Sequence, residues 1–433
     1  MTLSAPTVST KLAQIAEQSK REPARVFTTL AHHMDEDFLT EAFTRLRPGA
    51  AAGIDEMTVA EYRQQLKENI HDLHQRLVNR QYRAQPARRV WIPKADGSQR
   101  PLAILVLEDK IVQRAVAMLL EAIYEPHFHA FSYGFRKGHS AHEALTYLRQ
   151  QCLELGINWI VDADVAKFFD TIDHTQLTTI LKQRVNDGAI LRLIGMWLHV
   201  GVLEEGKVIG SEEGTPQGGV ISPVLANIFL HTVLDEWFET TVRPRMAGSC
   251  FLARYADDFV MGFVQKGDAE KVFRVLPKRF ERYGLKIHPE KSRVVQFSRP
   301  FGKQGKGPGT FAFLGFSHFW DRTREGSWTI KRKTERKRLS RFLSGLNDWC
   351  RKNRHQSTVD QHSTLKSKLR GHYQYYGVRG NYKMLEVAYE YAELAWKRWL
   401  TRRNSKDRMN WQKWAARWQE ICPLPKPRIV HAF

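Results

Sequence analysis

The stretch FLARYADDFVMGFV, residues 251–264, carries two largely apolar runs, Phe251 to Tyr255 and Phe259 to Val264, separated by Ala256-Asp257-Asp258. Aromatic and branched runs of this length around a short break predict two strands and a turn. From Tyr255 to Val264 the acid pair is the only charge. Two like charges beside buried strands are opposed by repulsion and desolvation. A divalent cation removes that objection, because Mg²⁺ takes oxygen ligands and is held by one or two carboxylates plus substrate phosphates. An exposed Asp-Asp turn is the plain alternative. A third acid comes from NWIVDAD, residues 158–164, a short apolar strand ending in Asp164. Acids at such strand ends could hold two metals ~4 Å apart, one activating a hydroxyl and one steadying a departing pyrophosphate. Asp162 shares the side of Asp164 by period-two spacing, so pattern alone does not choose between them. Asp170 and Asp173 fit helix capping.

The rest of the chain is that of a folded globular protein. Its 433 residues are 42% hydrophobic and 26% charged, which excludes a wholly disordered chain and allows two or three domains. The longest apolar stretch, around Gly218 to Leu230, contains Ser222, Pro223 and Asn227 and is too short to span a bilayer. The start, MTLSAPTVSTKLAQIAEQSK, lacks the apolar core of a secretion signal. Four cysteines far apart give neither a disulfide framework nor a cysteine zinc site, and fit a reducing cytoplasm. Charge is concentrated at one end. Lys and Arg outnumber Asp and Glu 67 to 46 in the whole chain, but 25 to 8 from Lys331 to Phe433. Six of the twelve tryptophans fall in that segment: Trp349, Trp396, Trp399, Trp411, Trp414 and Trp418. The periodicity places these rings in a core, whereas the basic excess calls for a polyanionic partner such as nucleic acid.

Residues 1–25 are polar and expected to be loosely ordered. Helices are expected over Val26 to Leu46 and Val59 to Asn79, then a hairpin of Arg88 to Pro93 with Arg100 to Ile104. Residues 108–124 place Ile111, Ala115, Met118, Leu119 and Ala122 on one helical face. Further helices are predicted from about Thr175 and over Pro223 to Phe238, with FAFLGFSHF (311–319) as a strand. Three apolar stripes at helical spacing follow Lys331: Leu339 to Trp349, Leu365 to Tyr376, and Leu385 to Trp399. They predict a small bundle with basic outer faces.

Tyr255-Ala256-Asp257-Asp258, with Asp164 five residues before Phe169-Asp170, resembles the polymerase site of reverse transcriptases. GTPQGG (214–219), followed by Ile221-Ser222-Pro223 and Ala226-Asn227, resembles the group II intron-encoded branch. IPKADGSQRPLAI (92–104), SYGFRKGHSAHEAL (132–145), GLKIHPEKS (284–292) and FAFLGFSHF match in the same order. GAAAGIDEMT resembles that branch's N-terminal extension, and residues 373–399 resemble its maturase, or thumb, segment. The resemblance implies an α+β right-hand polymerase: fingers and palm on an antiparallel sheet plus helices, then an α-helical thumb. The expected divisions are a flexible 1–25, fingers and palm over 26–325, thumb over 326–404 and a short basic segment over 405–433. The sequence departs from the longer members of that branch in one respect: no Cys/His endonuclease block follows the maturase segment, so the chain is not expected to cut the second DNA strand itself.

For the site, the resemblance implies metal ligation by Asp164, Asp257, Asp258 and the Val165 carbonyl, preferring Asp164 to Asp162. It implies contacts to an incoming dNTP from Lys94, Arg100 and Gln217, and a steric gate at Phe169 that excludes a 2′-hydroxyl. Lys291 matches a lysine proposed to protonate pyrophosphate, and Arg136 is expected to touch template phosphate. The implied cofactor is a pair of Mg²⁺ ions, with Mn²⁺ as a substitute. The implied partners are an RNA template (group II intron RNA), a DNA primer and dNTPs, with no membrane, in a bacterial cytoplasm or nucleoid. The implied function is RNA-directed DNA polymerisation in intron homing, with assistance to splicing. The alternatives are a freestanding relative serving DNA repair or phage defence, and an RNA-binding maturase with a vestigial polymerase site.

Overall fold

The computed structural model describes residues 7–93, 99–200, 202–204, 207–209, 218–301, 307–403, 414 and 422–432. By backbone contacts the chain divides into two compact units. One comprises Met1–Ala144, Ala163–Met261 and Gly267–Arg293; the other comprises Leu145–Asp162, Gly262–Lys266 and Val294–Phe433. Helices and mostly antiparallel sheets alternate, as expected for an α+β chain. Among the described residues no helix is long and apolar enough to cross a membrane.

The N-terminal segment corrects the expectation of a loosely ordered 1–25. Val8–Arg21 is a helix, α1, capped by the Thr7 side chain. Its composition is polar because it buries little, chiefly Ile15 and Ser19. Ser19 Oγ also donates to the Ile123 carbonyl at 2.6 Å. The helix expected over Val26 to Leu46 is shorter, α2 (Glu36–Thr44), with Asp35 accepting from the Phe38 N–H. Before it, Phe27 is extended: its N–H donates to the Arg184 carbonyl and its carbonyl accepts from Asn186. The next helix is broken at Gln65 into α3 (Val59–Gln64) and α4 (Leu66–Val78). β1 (Ala87–Pro93) and β2 (Gln99–Ile104) form the expected hairpin, with Ile92 opposite Arg100.

α5 (Leu107–Tyr124) is more enclosed than a one-faced helix, since Val112, Val116, Ala117 and Leu120 are buried as well as Ile111, Ala115, Met118 and Leu119. Its Asp109 sits in a buried network. Tyr82 donates to it at 2.5 Å, the Gln85 N–H at 3.0 Å, and Trp197 Nε1 donates to Tyr82 Oη at 3.2 Å. Burial raises the Asp109 carboxyl to about 6 despite these donors. Because the folded value lies above the unfolded one, the charged form disfavours folding. That penalty is absent below about pH 4 and complete above about pH 6. Urea unfolding at pH 4.5 and 7.5 should therefore show wild type losing on the order of 1–3 kcal/mol more than Asp109→Asn as pH rises.

After α5 come α6 (Ala141–Glu154), β3 (Trp159–Ala163), α7 (His174–Lys182) and α8 (Gly188–His199). Asp173 caps α7, as expected, by accepting from the Gln176 N–H at 2.7 Å. β4 (Val202–Glu204) and β5 (Lys207–Ile209) extend the first hairpin into a sheet of order β2-β1-β4-β5. α9 (Ser222–Leu230) is buried along most of its length and continues as two π-helical segments, His231–Asp235 and Phe238–Val242. β6 (Cys250–Tyr255) and β7 (Asp258–Phe263) form the expected hairpin around Ala256-Asp257. α10 (Lys266–Glu281) and β8 (Arg293–Gln296) follow, and the central sheet has the order β6-β7-β3-β8.

FAFLGFSHF is two strands rather than one. β9 (Phe311–Phe313) and β10 (Phe316–Arg322) pair through a two-residue loop, Leu314-Gly315, with φ of +50° and +77°. That is the conformation a tight hairpin favours, and glycine adopts it without strain. β11 (Trp328–Thr334) completes this sheet. The basic bundle is α11 (Arg336–Lys352), α12 (Thr358–Tyr376) and α13 (Tyr382–Thr401). Leu346, Leu365, Leu369, Tyr373, Leu385, Ala392 and Trp396 form its core together with Trp414. Trp396, Trp399 and Trp414 are buried, as the periodicity required, Trp349 is only half-buried against the same core, and Trp411 and Trp418 lie outside the described residues.

Candidate active site

The strand ends of the central sheet set the geometry. At the start of β3 the Asn158 N–H donates to the Phe263 carbonyl, at the far end of β7, over 3.1 Å. The two strands are neighbours, so they run antiparallel, and the end of β3 lies beside the start of β7. Asp164 directly follows β3, and Asp257-Asp258 opens β7, which puts the three acids at one end of one sheet. Asp164 and Asp258 are exposed and Asp257 is half-buried, so all three can meet a ligand.

The segment of the GLKIHPEKS motif pins Asp164. The Asp164 N–H donates to Ser292 Oγ at 3.1 Å, and its carbonyl accepts from the His288 N–H at 2.7 Å. The Ala166 N–H donates to the Lys286 carbonyl, making an antiparallel bridge between Val165 and Ile287. Because the flanking residues make both bonds, the Val165 carbonyl points away from Ile287, to the opposite side of its strand. Lys291 Nζ lies 3.1 Å from Asp164 Oδ2, and both side chains are well exposed. Lys167 then takes a left-handed φ of +48°, and the chain turns into Phe168 and Phe169. Phe168 is the core ring; Phe169 packs edge-on to it at 5.2 Å and stays half-exposed.

A buried frame supports the acid turn. Ala256 adopts φ of +57°. Arg254, fully buried, donates to the Ala256 carbonyl at 3.0 Å, to Asn227 Oδ1 at 2.9 Å and to both oxygens of buried Asp235 at 2.7 and 2.5 Å. Burial acts to raise the Asp235 carboxyl, but the guanidinium beside it holds it below the usual carboxylate range. Asn227 also donates to the Gly134 carbonyl at 2.7 Å. Gly134 passes so close that a Cβ there would stand 2.2 Å from the Ala256 nitrogen.

Not every expected site residue can be placed. Lys94 and Gln217 lie outside the described residues, and of Arg100 only the backbone is described. Arg136, expected at template phosphate, is instead engaged within the protein. Its side chain is 7% exposed, paired with Glu125 at 2.7 Å and donating to the His129 and Ser132 carbonyls. It braces its own loop. Arg254, Asp235 and Gly134 were not singled out from sequence. For the ion pair the available signal was charge inside two apolar segments, Arg254 in FLARY and Asp235-Glu236 in IFLHTVLDEWF, since buried charges are rarely unpaired.

The donors at the sheet end are carboxylate and carbonyl oxygens, the set a hard divalent cation takes. Residues 92–318 match the family described as reverse transcriptase (RNA-dependent DNA polymerase). The chain belongs to the reverse transcriptase family. Protein YkfC of Escherichia coli (strain K12) is 31% identical over 329 residues, covering 68% of this reverse transcriptase and 82% of that protein. Group II intron-encoded protein LtrA of Lactococcus lactis subsp. cremoris is 32% identical over 288 residues, 65% of this chain and 43% of LtrA. An uncharacterized 91 kDa protein in the cob intron of Schizosaccharomyces pombe is 40% identical over 170 residues, 39% of this chain and 21% of its own. This reverse transcriptase thus spans less than half the length of the two intron-named relatives. The family implies a divalent metal requirement in general.

Proposed function

We propose that this chain is the RNA-directed DNA polymerase of a group II intron, copying intron RNA into DNA and binding that RNA to assist its splicing. The observation that carries the polymerase reading is the gathering of Asp164, Asp257 and Asp258 at one end of the central sheet. In this reading the central sheet with its helices is the palm, the β1–β2 hairpin belongs to the fingers, and α11 to α13 form a thumb. Asp164, Asp257, Asp258 and the Val165 carbonyl would hold two Mg²⁺ ions, with Mn²⁺ as a substitute. Once bound, the ions supply Lewis-acid activation of a primer 3′-hydroxyl and relief of charge on pyrophosphate.

The chain's own residues supply orientation and selection. The His288 and Ser292 contacts fix the Asp164 backbone, so its carboxylate is presented without reorganisation. Lys291 Nζ, beside Asp164, holds a proton for the departing pyrophosphate. Lys94, Arg100 and Gln217 bind the triphosphate, two as cations and one as an amide. The cations of α11 to α13 follow the phosphate backbone of an A-form template–primer duplex, displacing its counterions.

The Phe169 ring, half-exposed beside Asp164's strand end, closes the space a 2′-hydroxyl would need. Phe169→Val should raise the rNTP-to-dNTP ratio of kcat/KM by about 10–100-fold, measured by single-nucleotide primer extension. An unchanged ratio would remove Phe169 from the sugar site. The link to an intron is tested by sequencing the RNA that copurifies with the chain. One structured species that splices faster when the protein is added supports it; a random sample of cellular RNA contradicts it.

A further inference from the structure

Away from the acid turn, three side chains from two segments bring their donor atoms close together. His129 lies in the loop after α5, and His231 and Glu236 lie on the continuation of α9. His129 Nε2 is 2.8 Å and His231 Nε2 3.4 Å from the same Glu236 oxygen, and all three donor atoms lie within 4.8 Å of one another. Residues five apart on an ordinary α-helix are rotated by roughly 140° and do not share a face. The π-helical turn over His231–Asp235 widens the helix here, an irregularity that recurs at functional sites.

The surroundings orient both imidazoles. His129 stacks on Phe131 at 4.9 Å, and Phe128 meets His231 edge-on at 5.3 Å. His231 Nδ1 is buried without a hydrogen-bond partner and lies 3.8 Å from the Asp235 carboxylate. A carboxylate behind the second ring nitrogen is the usual companion of a metal-ligating histidine. A lone His129–Glu236 hydrogen bond would account for one contact. It does not account for the second imidazole, whose Nε2 faces the same Glu236 oxygen.

We propose that His129, His231 and Glu236 bind one Zn²⁺ ion, with a fourth position left to water. Two imidazoles and a carboxylate suit Zn²⁺, whereas Mg²⁺ takes oxygen donors. Tetrahedral bonds of about 2.0–2.1 Å separate ligand atoms by about 3.3 Å. The His231–Glu236 spacing already has that value, and the shorter His129–Glu236 contact opens by a small swing of Glu236, whose side chain is 45% exposed. The ion would tie the loop after α5 to the helix that carries Asp235, the residue that anchors Arg254 under the acid turn.

The test uses the purified full chain, loaded with a slight excess of Zn²⁺ over protein and then dialysed against excess Mg²⁺, with bound metal measured by mass spectrometry. Wild type and Asp257→Asn should each retain a single equivalent of zinc, and Co²⁺ in its place should give the visible absorption of a tetrahedral ion. Losing an outer-shell partner weakens metal binding by about 10–100-fold, so His129→Ala and Glu236→Gln should each lose at least about 100-fold. Wild type retaining no zinc would overturn the proposal, as would variants that bind it as tightly as wild type. Zinc that disappears with Asp257→Asn would overturn it too, by placing the ion at the acid turn.

Discussion

Arg254→Met should cost about 3–5 kcal/mol of stability, read by urea unfolding at neutral pH, because it leaves the fully buried Asp235 carboxylate without its cation. Adding Asp235→Leu should restore most of that loss, since two apolar groups then replace a buried ion pair. It should not restore polymerase activity. The Ala256 carbonyl and Asn227 Oδ1 would still lack the guanidinium that ties them together. A double variant that is stable yet inactive separates positioning of the acid turn from support of the fold. A single variant as stable as wild type would show that the pair is not what holds the hairpin.

Gly134→Ala tests the same turn from its other side. The new Cβ would meet the Ala256 nitrogen at 2.2 Å and the Ala256 Cα and Tyr255 carbonyl carbon at 2.9 Å. All three are backbone atoms, so no side chain can swing aside and the acid turn itself must move. A displacement of about 1 Å at a reacting centre costs on the order of 100-fold in rate, and overpacking costs about 1–3 kcal/mol. Primer extension should fall by roughly that factor while the protein remains folded by circular dichroism. Wild-type activity in Gly134→Ala would mean that the turn is not held where Gly134 meets it.

Much of this site was legible in the sequence because its signals are local. The β6–β7 hairpin is announced by aromatic and branched runs around a two-residue loop, and β3 by an apolar run with an acid at its end. The three basic helices show their stripes plainly, and Leu365, Leu369, Leu385 and Ala392 are buried as spaced. What escaped depends on partners distant along the chain. Arg254 looks like an exception in an apolar strand until Asp235 and Asn227 arrive from α9 and its extension. Arg136 reads from sequence as a template-phosphate contact, and its pairing with Glu125 and the loop carbonyls is visible only in the fold. α1 was missed because two buried residues suffice to seat it, too few for a clear apolar stripe. Phe169 illustrates the reverse case. Two adjacent rings cannot both enter one core from a turn, and the backbone at Lys167 sends Phe168 inward.

The central claim is that Asp164, Asp257 and Asp258 act together in nucleotidyl transfer at the end of one sheet. The most direct measurement is extension of a labelled DNA primer on an RNA template by purified protein with dNTPs and Mg²⁺, wild type beside Asp257→Asn. The account predicts full-length cDNA from wild type and a rate lower by at least about 10²–10³-fold in the variant, which should fold equally well. Folded wild type that adds no nucleotide, or an Asp257→Asn variant as fast as wild type, would contradict it.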